Sequence, residues 1–294
     1  MNIDKKYARS ILREYNKKSK RVYFLLIFLV ITECFAFAID ARRKDEPTKE
    51  NTAQEEAAVE NTETTTFNST EDATSQPTNN KITPEQESIA TDFYSNSVII
   101  GDSIVAGYDI YAKDVEAPEF LNGITFLSAV NYGTEHALTD TGIKPEYKGE
   151  ARTLEESLRL IEPDRIFINL GINELSGVEP DKVGERFGLL VDKIKGICPN
   201  AKIYVISVTY IVKGSEKEDF TNDIIKKYNN YIETRAPEWG VTYLDLASVM
   251  SFDGETLPSE YSSDGYVHHN KDGFKIWDKF LVNLAVNESE ESTL

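Results

Sequence analysis

Cysteine and histidine are both scarce in this chain. Its 294 residues include two cysteines, Cys34 and Cys198, and three histidines, His136, His268 and His269. Cys34 sits in an apolar N-terminal run and Cys198 far downstream, which argues against a structural disulfide and against zinc held by thiolates. Any histidine-based chemistry must use those three residues. Basic residues are in the minority as well: 32 Lys and Arg face 50 Asp and Glu, giving a formal net charge of -18 and a pI near 4.7. Phosphate backbones need cations to neutralise them, so this balance argues against nucleic acid as a partner. It suits a soluble domain kept apart by like charge.

What is present falls into three zones. Residues 1–21 form a basic head, and residues 22–39 form an apolar run. The run is shorter than the roughly 20 residues of a typical membrane span. It also contains Glu33, which is costly at membrane depth. The flanking positive charge predicts a cytoplasmic N-terminus with the rest of the chain outside, the run serving as a membrane anchor. The competing reading is a cleaved signal peptide, with Ala36-Phe37-Ala38 as its small-residue cleavage site. Glu33 before Cys34 argues against a lipoprotein. Residues 40–88 are rich in Thr, Glu, Asn, Ser and Ala, and this composition predicts a disordered acidic linker. Residues 89–287 then form a globular domain, followed by a flexible tail at 288–294.

Within that domain the elements alternate. Short apolar runs at Ser97–Ile100, Ile124–Leu127, Arg165–Leu170, Ile203–Val208 and Val241–Leu246 read as strands. Between them lie helices: one opened by the capping box Thr153-Leu154-Glu155-Glu156, one from about Pro180 to Ile197, and one with Ile224, Ile225, Tyr228 and Ile232 on one face. A last helix carries Phe274, Trp277, Phe280, Leu281 and Leu284. Such alternation implies a parallel sheet with helices on both faces, and ligands bind such sheets at the carboxyl ends of the strands.

The unusual residues fall at those ends. Gly101-Asp102-Ser103 follows the first strand, Gly171-Ile172-Asn173-Glu174 the third, and Asp264 with His268-His269 precedes the last helix. A serine hydroxyl becomes a good nucleophile when a histidine removes its proton and an acid fixes the histidine's tautomer. Ser103, His268 and Asp264 have the chemistry for these roles. The oxyanion that forms needs donors, which Ser103 N–H, a glycine N–H and the Asn173 amide can supply. Each motif alone has a plainer reading: Gly-Asp-Ser as a turn or cap, Gly-x-Asn as a turn, His-His as surface or metal ligand. His136 reads as structural or exposed, with pocket lining as the alternative. Tyr108, Tyr111 and Tyr210 read as packing residues rather than sugar platforms.

In their order along the chain these motifs resemble the first, third and fifth blocks of the SGNH/GDSL hydrolase family. The segments are Gly101-Asp102-Ser103-Ile104, Gly171-Ile172-Asn173-Glu174 and Asp264 through Gly273. The resemblance implies a three-layer α/β/α sandwich with a parallel, flavodoxin-like central sheet and a serine mechanism with no metal or other cofactor. It implies Ser103 as nucleophile, His268 as base and Asn173 as an oxyanion donor, with Asp102 and Gly171 supporting the site. A second-block glycine completes the oxyanion set, and Gly133 is the best candidate. The sequence departs from the pattern at the acid. The family places it three residues before the histidine, where Gly265 stands here; Asp264 is four before, with Glu260 and Asp253 as alternatives and a Ser–His pair as the remaining option. Glu174 stands where Asp is commoner. The G-x-S-x-G elbow of α/β-hydrolases is absent.

Three functions fit. The first is hydrolysis of an ester, such as an O-acetyl group on a cell-envelope polysaccharide. The second is acyl transfer to a polysaccharide through the same acyl-enzyme. The third is non-catalytic binding at the surface. The expected partners are a small ester or acylated carbohydrate and, through residues 22–39, a membrane.

Overall fold

The computed structural model describes residues 81–291. The basic head, the apolar run and residues 40–80 of the expected linker lie outside the described residues. Among the described residues, no helix is long and apolar enough to cross a membrane.

Five strands build the central sheet: β1 (Ser97–Gly101), β2 (Ile124–Ser128), β3 (Arg165–Asn169), β4 (Lys202–Ile206) and β5 (Thr242–Leu244). Their order is β2-β1-β3-β4-β5, and every pairing is parallel. This is the flavodoxin-like arrangement. All five residues of β1 are buried, as are the last four of β3 and of β4. A strand covered on both faces needs such an unbroken apolar run rather than an alternating one.

Among the described residues, eight α-helices accompany the sheet. One group comprises α1 (Pro84–Tyr94), α2 (Ser103–Tyr111), α7 (Leu246–Met250) and α8 (Lys271–Glu291), with α8 touching the other three. The second comprises α3 (Thr134–Thr139), α4 (Leu154–Ile161), α5 (Pro180–Ile197) and α6 (Asn222–Arg235), gathered around α5. Crossovers between parallel strands of one sheet are right-handed as a rule, which puts the two groups on opposite faces and gives the three layers. The α4 capping box forms: Glu156 N–H donates to Thr153 Oγ1 at 3.1 Å and Thr153 N–H to Glu156 Oε2 at 2.9 Å.

Three boundaries differ from the sequence reading. The expected linker end at residue 88 falls inside α1, which starts at Pro84 behind a Thr83/Gln86 capping box and buries Ala90, Phe93 and Tyr94 in the core. The tail expected from 288 is helical through Glu291, and Glu288 pairs with Lys202 of β4. The last strand stops at Leu244 rather than Leu246, because the Asp245 side chain accepts the Ser248 N–H and caps α7.

The register decides where chemistry can occur. Gly101 of β1 lies level with Ser128 of β2 and Asn169 of β3. The segments that leave these residues therefore emerge side by side, where the strand order reverses between β1 and β3. Crevices at such reversal points are where these sheets bind ligands.

Candidate active site

Ser103 is the first residue of α2, two residues beyond the row that ends β1. Asp102 caps that helix, its Oδ1 accepting the Ile104 N–H at 2.9 Å. Ser103 Oγ lies 2.9 Å from His268 Nε2, and His268 Nδ1 lies 2.5 Å from Asp264 Oδ2. The hydroxyl, imidazole and carboxylate thus form one continuous hydrogen-bonded line. It is open to solvent: the side chains of His268 and Asp264 are 42% and 35% exposed.

Asp264 is tied down by its other oxygen. Oδ1 accepts the backbone N–H groups of Tyr266, Val267 and His268 at 2.8, 3.1 and 3.2 Å, and the Ser262 hydroxyl at 3.1 Å. Partial burial pushes its carboxyl pKa up, but the bonds from His268 and these amides outweigh that and hold it below the ordinary value. The loop is braced from outside as well: Val212 N–H donates to the Tyr266 carbonyl at 2.9 Å, and Ser215 Oγ to the Gly265 carbonyl at 2.8 Å. Of the alternative acids, Asp253 is occupied elsewhere, accepting the N–H groups of Glu255 and Thr256 in its own turn.

The two histidines take opposite directions. His269 is 5% exposed, its Nδ1 accepts the Trp277 indole N–H at 3.0 Å, and its Nε2 meets Thr209 Oγ1 at 3.1 Å. Burial, with a smaller push from the charge on His268, drops its pKa to about 3, so it stays neutral.

The oxyanion candidates divide. As the first residue of α2, Ser103 has an N–H with no partner inside the helix. Asn173 Nδ2 donates one hydrogen to the Tyr132 carbonyl at 3.2 Å, which leaves the second for a ligand. Gly133, in contrast, already donates its N–H to His136 Nδ1 at 3.2 Å. That bond occupies the N–H expected to serve the oxyanion, and it gives His136 a partner that the sequence did not reveal. Gly171 has φ +124, and a Cβ there would lie 2.5 Å from the Tyr228 hydroxyl, so only glycine fits.

Two further acidic side chains, Asp102 and Glu174, stand in the motifs that form the site. Asp102 is 1% exposed, and burial, reinforced by Glu174 and opposed by the Ile104 N–H, raises its pKa to about 7. Glu174 accepts the Thr134 hydroxyl at 2.6 Å and so ties the turn after β3 to the start of α3. The tyrosines behave as packing residues: Tyr108 and Tyr111 donate to the two oxygens of buried Asp278, each at 2.7 Å, and Tyr210 is buried. The bonds made by Glu174, Thr209 and Trp277 went unforeseen, although Glu174 stood out within its Gly-x-Asn block and Trp277 on the apolar face of the last helix.

The family model of the GDSL-like Lipase/Acylhydrolase family matches residues 99–276. No curated protein matches the chain. Among solved structures, one from Streptococcus pneumonia named for platelet activating factor is 19% identical, covering 68% of this chain and 92% of that one at a TM-score of 0.50. An acylhydrolase from Bacteroides fragilis is 18% identical over 66% of this chain and 86% of that one, TM-score 0.49. A GDSL-like lipase from Bacteroides thetaiotaomicron is 17% identical over 71% and 95%, TM-score 0.49.

Proposed function

This chain belongs to the GDSL-like lipase/acylhydrolase family, and from that premise we propose that it cleaves esters through an acyl-enzyme on Ser103. The observation that carries the proposal is the line Ser103 Oγ–His268 Nε2–Asp264, with links of 2.9 and 2.5 Å. His268 takes the Ser103 proton as Oγ attacks the ester carbonyl. The Ser103 N–H and the free Asn173 N–H stabilise the oxyanion. His268 then gives the proton to the departing alcohol, the C–O bond breaks, and the acyl group remains on Ser103. Water, deprotonated by the same imidazole, releases the acid and restores the hydroxyl. Asp264 keeps the imidazole proton on Nδ1 and stabilises the imidazolium that forms.

The preferred substrate is an O-acyl group, such as an acetyl, on a cell-envelope polysaccharide. Support comes from the open triad, which leaves room for an ester carried on a bulky polymer, and from the N-terminal basic head and apolar run, a pattern that suits export of the domain. Protease added to intact cells then removes the domain, and complete protection refutes that location. Acyl transfer to a sugar hydroxyl uses the same acyl-enzyme and differs only in the attacking group. A fluorophosphonate probe should label Ser103 in the full chain, with p-nitrophenyl acetate turned over at the same site. Labelling that persists after Ser103→Ala would refute the nucleophile. Product analysis with and without sugar acceptors separates hydrolysis from transfer.

A further inference from the structure

A base that is 42% exposed cannot rely on core packing to fix its ring. His268 has two side-chain partners, Ser103 and Asp264, and Asp264 belongs to the same loop. The direction of its Nε2 therefore depends on what fixes the backbone at residues 268 and 269. The neighbouring side chain supplies a fixed point. His269 points into the core and is bonded at both ring nitrogens, to Trp277 at 3.0 Å and Thr209 at 3.1 Å. The indole N–H can only donate, so His269 Nδ1 must accept, the ring proton lies on Nε2, and Thr209 Oγ1 is the acceptor. One tautomer satisfies both bonds.

Thr209 is itself held on both sides in sequence. Asn229 of α6 binds both the N–H and the carbonyl of Val208, at 3.0 and 2.8 Å. Asn222, seven residues earlier on the same helix, does the same for Ile211, at 2.7 and 3.1 Å. The segment that carries the Thr209 hydroxyl is thereby clamped to α6, and Trp277 is fully buried in α8. His269 spans the two.

We propose that His269 is a positioning residue of the hydrolytic site: its two-ended bond to Thr209 and Trp277 sets the angle at which His268 meets Ser103. The proposal rests on the reading of His268 as the base. Adjacent side chains on an extended backbone point opposite ways, so rotation about the chain that frees His269 also swings His268 away from Ser103.

The test uses the full chain and the isosteric change Thr209→Val, which removes the acceptor while keeping the volume, beside Thr209→Ser, which keeps the hydroxyl. Turnover of p-nitrophenyl acetate is measured well below the thermal midpoint of each variant, together with the fluorophosphonate labelling rate. Thr209→Val should lower kcat and labelling in parallel by about 10- to 100-fold, the range expected when a catalytic group is displaced by about 1 Å, with KM little changed. Thr209→Ser should restore both. Wild-type kcat in Thr209→Val, or a Ser variant as slow as the Val variant, overturns the proposal. Substantial turnover in His268→Ala overturns instead the reading of His268 as base. A dead His268→Ala beside a fully active Thr209→Val leaves that reading standing and removes only the anchor.

Discussion

Replacing Asp264 with Asn separates the two tasks of this carboxylate. Its Oδ1 holds the loop by accepting three backbone N–H groups and the Ser262 hydroxyl, and its Oδ2 meets His268 Nδ1 at 2.5 Å. The asparagine carbonyl can take over every bond of Oδ1, so the loop and the fold should persist. The new NH2 group then stands where Oδ2 stood. A donor at that point is satisfied only if Nδ1 is bare, which moves the imidazole proton to Nε2, the atom 2.9 Å from Ser103 Oγ. In that tautomer the ring donates to the serine and cannot take its proton. The corresponding change in the serine-protease template costs about 10⁴ in kcat, and since the His268 ring is exposed enough to rotate away from the amide, a loss of about 10² to 10⁴ is expected. The assay is steady-state hydrolysis of p-nitrophenyl acetate alongside thermal denaturation. Turnover falls while the midpoint barely moves; Asp264→Ala, which loses both tasks, lowers both. An Asp264→Asn enzyme nearly as active as wild type, beside dead Ser103→Ala and His268→Ala, would refute the reasoning and leave a Ser–His pair with Asp264 only tying the loop.

Three further outcomes are expected. Asn173→Ala should lower kcat by about 10² to 10³, the usual loss for one oxyanion donor, with little change in KM; an unchanged kcat in steady-state kinetics removes Asn173 from that role. Asp102 titrates near 7 in the folded state against 3.8 unfolded, so its contribution is full below about 3.8 and is lost as pH rises towards 7, an effect on the order of a few kcal/mol. Asp102→Asn keeps an acceptor for the Ile104 N–H but cannot ionise, so urea denaturation should show the variant gaining on wild type from acid to alkaline pH, and parallel pH profiles would contradict this. Gly171→Ala forces a Cβ against Tyr228 at a φ of +124 and should cost at least ~2 kcal/mol in denaturant unfolding; a neutral substitution would mean that the turn relaxes freely.

The elements that were legible in the sequence share a cause. β1, β3 and β4 are short apolar runs because both their faces are covered, and α4 announces itself by a capping box whose two bonds form. The start of α1 carries the same kind of signal, Thr83-Pro84-Glu85-Gln86, yet it follows a long polar tract and composition masked it. What makes it helical is tertiary: Phe93 and Tyr94 pack into the core, and the Tyr94 hydroxyl donates to the Leu281 carbonyl at 2.8 Å. The Val241–Leu246 run reads as strand throughout until Asp245 is recognised as a cap. At the site, Ser103, His268 and Asp264 could be named because their chemistry is local to short motifs. The engagement of His269 with Thr209 could not, because only the fold brings those two residues together; the bond from Gly133 to His136 is local to the first turn of α3, but histidine is not the usual residue for that capping position.

Asp264 departs from the family spacing, and its loop accommodates the departure. Four residues rather than three separate Asp264 from His268, and the extra residue must go somewhere without lengthening the reach. It is absorbed in a turn closed by Asp264 itself, whose Oδ1 collects the N–H groups of Tyr266, Val267 and His268 in succession. Gly265 carries the sharp bend at φ +68, a conformation that most side chains resist. The turn draws the backbone at His268 to within 3.2 Å of the same carboxylate that its ring meets through the other oxygen. With the chain coiled in this way, the added residue leaves the acid within hydrogen-bond reach of the imidazole. The four-residue interval is thus compatible with a hydrogen-bonded triad on condition that a residue tolerant of positive φ follows the acid, and Gly265 meets that condition.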